Sequence, residues 1–241
     1  MSRAWRQIIK RCIPAAVRSR LSRTTPRPVR WGSLRRVEPV SRVFGLDRGL
    51  CVDRYYIERF LTRHAADIRG RVLEIGESAY TRRFGGANVQ RADVLHAVDG
   101  NPQATMVGDL ATGRGIPRDA FECIILTQTL PFIYDIQSAV AHTWSALKAG
   151  GVTLATLPGI SQVSRYDMDR WGDYWRFTDA SARRLFGSAF GDANVSVETH
   201  GNVLAGCALL QGLAAEELTE RELERRDPDY QVLIAVRAVR P

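Results

Sequence analysis

The sequence has few of the features that several protein classes require. Its 241 residues include only four cysteines, and none of them forms a Cys-x-x-Cys pair. A disulfide scaffold is therefore excluded, and no metal site is expected. No apolar run approaches the ~18–20 residues that a membrane-spanning helix needs, which excludes a transmembrane protein. Hydrophobic residues (45%) and charged residues (25%) are near their usual amounts, so we expect a folded chain in a reducing cytoplasm.

Acidic residues are missing from the first 36 positions. Residues 1–36 contain 11 basic residues and no Asp or Glu, whereas the other 205 residues contain 23 basic and 26 acidic ones. The formal charge of +8 therefore belongs to this arm, and the rest of the chain does not resemble a nucleic-acid-binding surface. Apolar residues recur at helical spacing from Trp5 to Val17. This basic amphipathic pattern suits contact with an anionic membrane surface or a protein, and the alternative is a solvated tail.

From residue 50 onward, the apolar pattern alternates between helical and strand periodicity. We predict helices over residues 55–68, 136–147, 180–190 and 204–225. We predict strands over residues 71–75, 88–95, 104–107, 121–127, 152–157, 194–200 and 231–239. Glycines 150 and 151 are expected to end the second helix. Strands that alternate with helices indicate the α/β class, with a doubly wound, mostly parallel sheet whose ligands bind beyond the carboxyl ends of the strands.

Five short motifs occur in order at these predicted strand ends. They are residues 72–76 (Val-Leu-Glu-Ile-Gly), Asp93, residues 107–110 (Val-Gly-Asp-Leu), residues 121–130 with 147–151, and residues 173–178 (Asp-Tyr-Trp-Arg-Phe-Thr). Over about residues 50–240 the chain resembles class I S-adenosylmethionine-dependent methyltransferases, and the last motif resembles their type 11-like bacterial branch. The resemblance implies a Rossmann-like sheet of seven strands with helices on both faces and the last strand antiparallel. It also implies S-adenosyl-L-methionine as cofactor and S-adenosyl-L-homocysteine as product.

The resemblance places the cofactor at the ends of the first four strands. The residues that match are Glu74, Gly76, Glu77, Ser78, Tyr80, Asp93, Val94, Asp109, Leu110, Thr127 and Gln128. Asp93 lies 19 residues after Glu74, near the ~20-residue offset of an acid that binds a ribose, and the alternative is an aspartate that caps a turn. Asp109 would accept from the adenine amino group, unless it is an ordinary turn aspartate.

Two further features of these strand ends carry alternatives. Thr127 and Gln128 either contact the ligand or are satisfied by the backbone. The glycine-rich loop of the family is altered here, because Gly76 is followed by Glu77, Ser78 and Ala79. A carboxylate at Glu77 would face the cationic groups of the cofactor, but the missing glycines put cofactor binding itself in question.

The loop after the fifth predicted strand is the candidate acceptor site, because aromatic and charged residues alternate in it. The predicted acceptor-binding residues are Trp171, Tyr174, Trp175 and Arg176, together with Tyr55 and Tyr56 from the segment before the first strand. Such aromatic faces suit a sugar-like or aromatic polyhydroxyl acceptor. The alternative is that Trp175 is a core anchor and that Arg176 pairs with Asp173. A hydroxyl acceptor needs a base, for which the candidates are Asp173, Asp169, Tyr166 and His200.

The expected organisation is a basic N-terminal arm (residues 1–36), a cap segment with a helix (37–70) and a methyltransferase domain (71–241). The expected reaction is methyl transfer to an oxygen of a small-molecule or glycan acceptor in a bacterial biosynthetic pathway. The expected location is the cytoplasm, with the inner membrane surface as an option through the arm. The alternatives are a catalytically silent scaffold, a nicotinamide-dependent enzyme that shares the spacing of Gly76 and Asp93, and a nucleic-acid methyltransferase guided by the arm.

Overall fold

The computed structural model describes residue 32 and residues 35–241, so most of the arm lies outside the described residues. The α-helices of the described part are α1 (Val52–Arg63), α2 (Ile136–Ala146), α3 (Arg165–Met168), α4 (Asp179–Phe190), α5 (Val203–Gln211) and α6 (Glu220–Glu224). Its strands are β1 (Gly70–Ile75), β2 (Val89–His96), β3 (Met106–Val107), β4 (Phe121–Thr127), β5 (Leu147–Pro158), β6 (Val195–His200) and β7 (Leu233–Val239). Short turns of 3-10 helix and one π-helical turn (Thr81–Gly85) lie between them.

The seven strands form one sheet in the order β3-β2-β1-β4-β5-β7-β6. The pairs from β3 to β5 are parallel, whereas β7 is antiparallel to both β5 and β6. The predicted fold class is confirmed, including the antiparallel last strand. Because β7 runs against both of its neighbours, β6 points the same way as β5. The carboxyl ends of β1 to β6 therefore share one side of the sheet, called here the carboxyl edge.

The two faces of the sheet bury separate apolar cores. On one face, Leu73, Ile124 and Leu126 pack with residues of α2 and α4. On the other, Val72 and Ile125 pack with residues of α1 and α5. Neighbouring positions of β1 and β4 thus face opposite cores, as the period of a strand requires. Residues Pro39–Pro241 form a compact unit that contains both cores.

The predicted ends of three helices are wrong. The helix predicted over residues 55–68 ends at Arg63 and is followed by a 3-10 turn, Ala65–Asp67. Gly150 has a positive φ of 74°, but it lies in the irregular first part of β5 and does not cap α2, which ends at Ala146. The helix predicted over residues 204–225 stops at Gly212, whose left-handed conformation (φ 67°) caps α5. A Cβ at Gly212 would lie 2.3 Å from the carbonyl oxygen of Ser41, so only glycine fits there.

Candidate functional site

Gly76 follows β1 at the carboxyl edge and leaves space in front of its backbone. Its φ is 82°, a conformation that favours glycine, and its amide donates to the carbonyl of Leu95 on β2 (2.9 Å). A Cβ built on Gly76 would meet no atom within 4 Å. The backbone of Gly76 is therefore not covered by other residues at the place where parallel α/β sheets bind ligands.

The side chain of Glu74 holds the loop that follows β1 in place. Its buried carboxylate accepts from the backbone amides of Tyr80 (3.2 Å) and Thr81 (2.8 Å), and burial raises the pKa of Glu74 above its usual range. Ser78 is buried, and its carbonyl accepts from the amide of Arg82. Tyr80 packs beside Phe84 against the α1 face, where burial raises its pKa to about 12. The side chains of Glu74 and Tyr80 thus shape the loop from inside the fold.

Glu77 is the exposed charge of the loop, and within the described part of the chain it forms no hydrogen bond or ion pair. Asn101, which the sequence did not single out, holds the loop from the other side: its Nδ2 donates to the carbonyl of Gly76 (2.6 Å). The side-chain oxygen of Asn101 accepts from the amide of Gln103. Asn101 therefore ties the turn after β2 to the end of β1, a contact between two loops that spacing along the chain does not reveal.

The placement of Asp93 at the end of the second strand is wrong. β2 continues to His96, and Asp93 pairs with Leu73 inside the sheet. Its side chain is fully buried and is bonded by Arg71 (2.6 Å), Arg91 (3.0 Å) and Thr105 (3.0 Å). Burial opposes the charge, but these bonds outweigh it and hold the pKa of Asp93 below its usual range. The carboxylate has no surface left for a ribose.

Val94 is likewise enclosed, because its amide and carbonyl are bonded by Thr105. The residue that reaches the carboxyl edge from β2 is His96. Its Nδ1 lies 2.7 Å from the carbonyl oxygen of Val98, and because a carbonyl only accepts, Nδ1 carries the hydrogen. In the neutral imidazole Nε2 is then an acceptor. The ring meets Trp171 edge to face at 5.8 Å, so the acceptor loop reaches across the edge to the end of β2.

Asp109 uses both of its carboxylate oxygens in its own turn. They accept from the amide of Ala111 (2.8 Å) and from the hydroxyl of Thr112 (3.0 Å). This is the turn role that the sequence had left open beside adenine binding. Leu110 is buried in the core, and its carbonyl is bonded to Nδ1 of His142 on α2 (2.9 Å). Asp109 and His142 thus hold the segment after β3 in place.

Thr127 and Gln128 lie at the carboxyl edge at the end of β4, as predicted. The amide of Gln128 donates to the carbonyl of Thr156 (3.0 Å), so backbone satisfaction is part of their role. Gln128 also has a φ of 49°, which is uncommon for a residue with a side chain. Thr156, beside Thr127 on β5, has a buried hydroxyl with no hydrogen-bond partner in the described structure. This strand end therefore combines an uncommon backbone conformation with an unpaired buried hydroxyl.

Arg176 and Asp173 form the frame of the acceptor loop, which spans residues 159–178. The guanidinium of Arg176 binds both oxygens of Asp173 (2.6 and 3.0 Å) and the carbonyls of Ser161 and Gln162. Asp173 also accepts from the amide of Ser164 (2.9 Å), and its side chain is only 2% exposed. Burial raises its pKa, but the bonds from Arg176 and Ser164 outweigh this, so the pKa lies below its usual range. Asp173 and Arg176 are therefore engaged with each other in the frame of the loop, which is the pairing that the sequence had left open.

The loop presents an aromatic cluster at the surface. Tyr134 (70% exposed) and Tyr174 (49% exposed) meet edge to face at 5.4 Å, and Tyr134 tilts over Trp175 at 5.9 Å. The indole of Trp175 donates to the carbonyl of Ile133 (3.1 Å) and packs on the core, which is the anchor role that the sequence left open. A Cβ at Gly172 would lie 2.3 Å from the ring of Tyr174, so glycine lets this ring lie across the turn. Tyr134 belongs to a different connection and was not predicted.

Tyr166 and Asp169 lie on or beside the short helix α3, at the surface of the loop. Tyr166 is 66% exposed, and the guanidinium of Arg170 lies 3.5 Å from the centre of its ring. The carboxylate of Asp169 is 62% exposed and lies 3.8 Å from Arg165. Both side chains are therefore open to solvent.

The roles predicted for Tyr55, Tyr56 and His200 do not fit their surroundings. Tyr56 is buried and donates to the carbonyl of Leu223, while Tyr55 donates to Glu224, so both face α6. Burial and the bond to Glu224 raise the pKa of Tyr55 to about 12. His200 is buried and stacks on Tyr56 at 5.4 Å. Although β6 ends at the carboxyl edge, it lies two strands beyond β5, about 10 Å away. Each of the three side chains is thus engaged by neighbouring residues of the fold.

The described residues contain neither a metal-holding cluster nor a membrane-spanning helix. Within residue 32 and residues 35–241, no three His, Cys, Asp or Glu side chains are grouped so as to hold a metal ion. In the same part of the chain, no helix has the length and apolar character needed to cross a membrane.

No protein-family model and no curated protein matches the chain. Among solved structures it is similar to a SAM-dependent methyltransferase from Archaeoglobus fulgidus (11% identity, 78% of this chain and 94% of that chain, TM-score 0.51). It is also similar to an S-adenosylmethionine-dependent methyltransferase from Mesorhizobium loti (14%, 81% and 100%, 0.51). A third is the N-methyltransferase NodS from Bradyrhizobium japonicum WM9 in complex with S-adenosyl-L-homocysteine (11%, 84% and 95%, 0.51). The chain therefore has the fold of class I S-adenosylmethionine-dependent methyltransferases.

Proposed function

We propose that this protein is an S-adenosylmethionine-dependent methyltransferase that methylates an oxygen of a sugar-like acceptor. The observation that carries the proposal is the carboxyl edge itself. Bare backbone at Gly76 lies beside β2, and an aromatic loop reaches over the same edge until Trp171 meets His96. The first feature suits a cofactor and the second suits an organic acceptor, and a group-transfer enzyme needs both at one place.

The residues present at the edge fit the cofactor. The open space at Gly76 admits a ligand against the backbone, and Glu77 offers a carboxylate to a cationic amino or sulfonium group. His96 stands at the end of β2, where the family has its ribose-binding acid, and in the neutral ring its Nε2 would accept a hydrogen bond from a ribose hydroxyl as a carboxylate oxygen would. Leu110, Thr127 and Gln128 complete the predicted contacts. When bound, S-adenosyl-L-methionine supplies a methyl group on a positively charged sulfur.

The acceptor side suits an uncharged polyhydroxyl ring. The charges inside the loop are already paired, since Asp173 is bonded to Arg176 and to the amide of Ser164. The surface here presents the Tyr134–Tyr174 pair, with two hydroxyl groups and exposed ring faces. Aromatic rings give apolar contact at low entropic cost, and their hydroxyl groups add hydrogen bonds. A sugar ring offers both an apolar face and hydroxyl groups.

A hydroxyl acceptor must lose its proton as the new bond forms. Asp169 and Tyr166 are the two earlier candidates that stay exposed on the loop, so they are the groups we assign to hold or pass on this proton. Alignment of the two reactants supplies much of the rate in such transfers, and the rigid frame of Arg176 and Asp173 serves that purpose. The enzyme would act in the cytoplasm, in the modification of a small molecule or glycan unit.

The cofactor is tested by titration calorimetry with S-adenosyl-L-homocysteine. Gly76→Ala adds a methyl group to the bare backbone, and we expect it to weaken binding at least about tenfold, equal to 1.4 kcal/mol. Gly86→Ala is the matched control, because Gly86 also has a positive φ and open space but lies before β2, at the opposite edge. Equal effects of the two variants would mean that only backbone strain had been measured.

The same titration separates the alternatives. Absence of binding up to millimolar concentration would favour the silent scaffold, which the Glu77-Ser78-Ala79 sequence motivates. Binding of a nicotinamide cofactor instead would favour a dehydrogenase. The topology of the sheet argues against a dehydrogenase. Dinucleotide-binding sheets have the strand order 3-2-1-4-5-6, without the antiparallel β7 found here between β5 and β6. Once binding is established, methyl transfer to mono- and oligosaccharides is the screen for the acceptor.

A further inference from the structure

Asn101 begins a tight turn between β2 and β3, and its side chain is part of that turn. The side-chain Oδ1 accepts from the amide of Gln103 (2.9 Å), and the backbone carbonyl accepts from the amide of Ala104 (3.1 Å). Asn is favoured at the first position of such a turn, and the fixed φ of Pro102 suits the second. Because Oδ1 is engaged as an acceptor, Nδ2 is the group that donates to Gly76.

The turn that contains Asn101 is also attached to β2. The amide of Thr105 donates to the carbonyl of Val94 (3.0 Å), and the hydroxyl of Thr105 donates to the buried carboxylate of Asp93 (3.0 Å). Val94 and Asp93 both belong to the part of β2 that pairs with β1. Asn101 is therefore held by its own turn and, through Thr105, by the sheet, so its Nδ2 is a donor at a fixed place.

The bond from Asn101 fixes the peptide unit that joins Gly76 to Glu77. The amide of Gly76 donates to the carbonyl of Leu95 (2.9 Å), and the carbonyl of Gly76 accepts from Asn101 (2.6 Å). The described residues are joined by trans peptide bonds, in which the C=O and the following N–H point in opposite directions. The N–H of Glu77 therefore points away from Asn101. Within the described part of the chain it donates to no other atom.

An unpaired backbone N–H at the carboxyl edge suits an acceptor group on a ligand. A ligand can come close to this peptide unit, because a Cβ on Gly76 would meet no atom within 4 Å. The exposed carboxylate of Glu77 suits an ammonium group, and the N–H of the same residue suits a carboxylate. An amino acid carries both groups on one carbon atom, and S-adenosyl-L-methionine has such an amino-acid end.

We propose that Asn101 is a positioning residue for the cofactor, because its bond to the carbonyl of Gly76 directs the N–H of Glu77 toward the carboxylate of the amino-acid end. This role rests on the proposed function, since it requires S-adenosyl-L-methionine at the carboxyl edge. Without the bond, the peptide unit after Gly76 can rotate, because glycine permits many backbone conformations. Binding then has to order this peptide unit, and the affinity for the cofactor falls.

The test is titration calorimetry with S-adenosyl-L-homocysteine and with 5′-methylthioadenosine, which has the same nucleoside but no amino-acid end. Asn101→Ser keeps an oxygen that can accept from the amide of Gln103, but its shorter side chain does not reach Gly76. We expect this variant to bind S-adenosyl-L-homocysteine about tenfold more weakly, as the loss of one hydrogen bond predicts. Its affinity for 5′-methylthioadenosine, measured by displacement of S-adenosyl-L-homocysteine, should stay unchanged.

Asn194→Ser is the matched control. The Nδ2 of Asn194 also donates to a backbone carbonyl, that of Phe190 (2.8 Å), but Asn194 lies before β6, at the opposite edge of the sheet. We expect this variant to lower the free energy of unfolding as Asn101→Ser does, and to bind both ligands like the natural chain. Urea unfolding of the two variants measures the effect on stability and shows that both are folded.

Two results would overturn the role of Asn101 while the natural chain still binds S-adenosyl-L-homocysteine. Asn101→Ser could bind this ligand as tightly as the natural chain does. It could also lose affinity for both ligands equally, which would mean that the substitution disturbs the whole site. Failure of the natural chain itself to bind S-adenosyl-L-homocysteine would instead contradict the proposed function, and the role of Asn101 with it.

Discussion

At the scale of single residues, two positions three apart on β2 have opposite roles. Asp93 matches the expected ribose ligand in type and spacing, but it lies inside the sheet and balances two arginines. His96 matches no acidic motif, yet it ends β2 at the carboxyl edge and meets Trp171 of the acceptor loop. Residue type and offset therefore predicted a ligand that the register of the strand places out of reach.

Substitutions of Asp93 and His96 distinguish the roles of the two residues. Asp93→Ala leaves Arg71 and Arg91 without their partner, and we expect the free energy of unfolding to fall by about 3 kcal/mol while the affinity for S-adenosyl-L-homocysteine stays unchanged. His96→Ala should do the reverse, with weaker binding by about tenfold and unchanged stability. Urea unfolding and calorimetry of both variants measure these effects. Loss of binding without loss of stability in Asp93→Ala would restore Asp93 to the ribose site.

The lowered pKa of Asp173 predicts how stability depends on pH. A carboxyl whose pKa is lower in the folded than in the unfolded chain adds stability above its ordinary pKa of about 3.9, and this is lost as the pH falls through its folded pKa. We expect Asp173→Asn to cost about 3 kcal/mol at pH 7 and less towards pH 3. Urea unfolding across this range measures the difference. A cost that does not change with pH would exclude the ion pair as its source.

At the scale of elements, the loop between β5 and α4 shows what its composition can predict. Its aromatic and charged residues correctly indicated a special segment, and the pairing of Arg176 with Asp173 had been one alternative. Composition did not reveal that this pair is the frame of the loop, or that Tyr134 from the connection before α2 joins its surface. Contacts between separate connections depend on how the sheet places them.

Gly172 tests whether the loop positions the acceptor. Gly172→Ala pushes against the ring of Tyr174 and strains a φ of 89°, so we expect the KM for the acceptor to rise several-fold with little change in cofactor affinity. The matched control is Gly191→Ala, after α4, which has a similar φ of 82° but only one neighbouring atom, at 3.4 Å. Both variants should lose about 1 kcal/mol of stability from backbone strain. Steady-state kinetics with the selected acceptor would contradict the role if the two variants behaved alike.

At the scale of the whole molecule, the sheet joins two cores whose buried residues begin at Val52, with Phe44 and Leu50 packed against one of them. We therefore expect removal of the arm, residues 1–36, to leave the melting temperature and the affinity for S-adenosyl-L-homocysteine unchanged. Removal through residue 63 also deletes α1, with the buried Tyr56 and Phe60, and should prevent folding. Differential scanning fluorimetry and calorimetry compare the two truncations. Loss of binding in the shorter truncation would make the arm part of the site.

The sequence by itself determined the α/β class, the order of the strands along the chain and the edge at which ligands bind. These follow from local periodicity and from the rule that parallel strands end on one side of the sheet. Only the tertiary structure decided which polar residues are available at that edge. Burial and pairing depend on neighbours from distant parts of the chain, so Asp93, Asp173 and His200 are enclosed, while His96, Asn101 and Tyr134 reach the site. The sequence specifies the chemistry of each side chain, but the packing of the folded chain decides whether that side chain can contact a ligand.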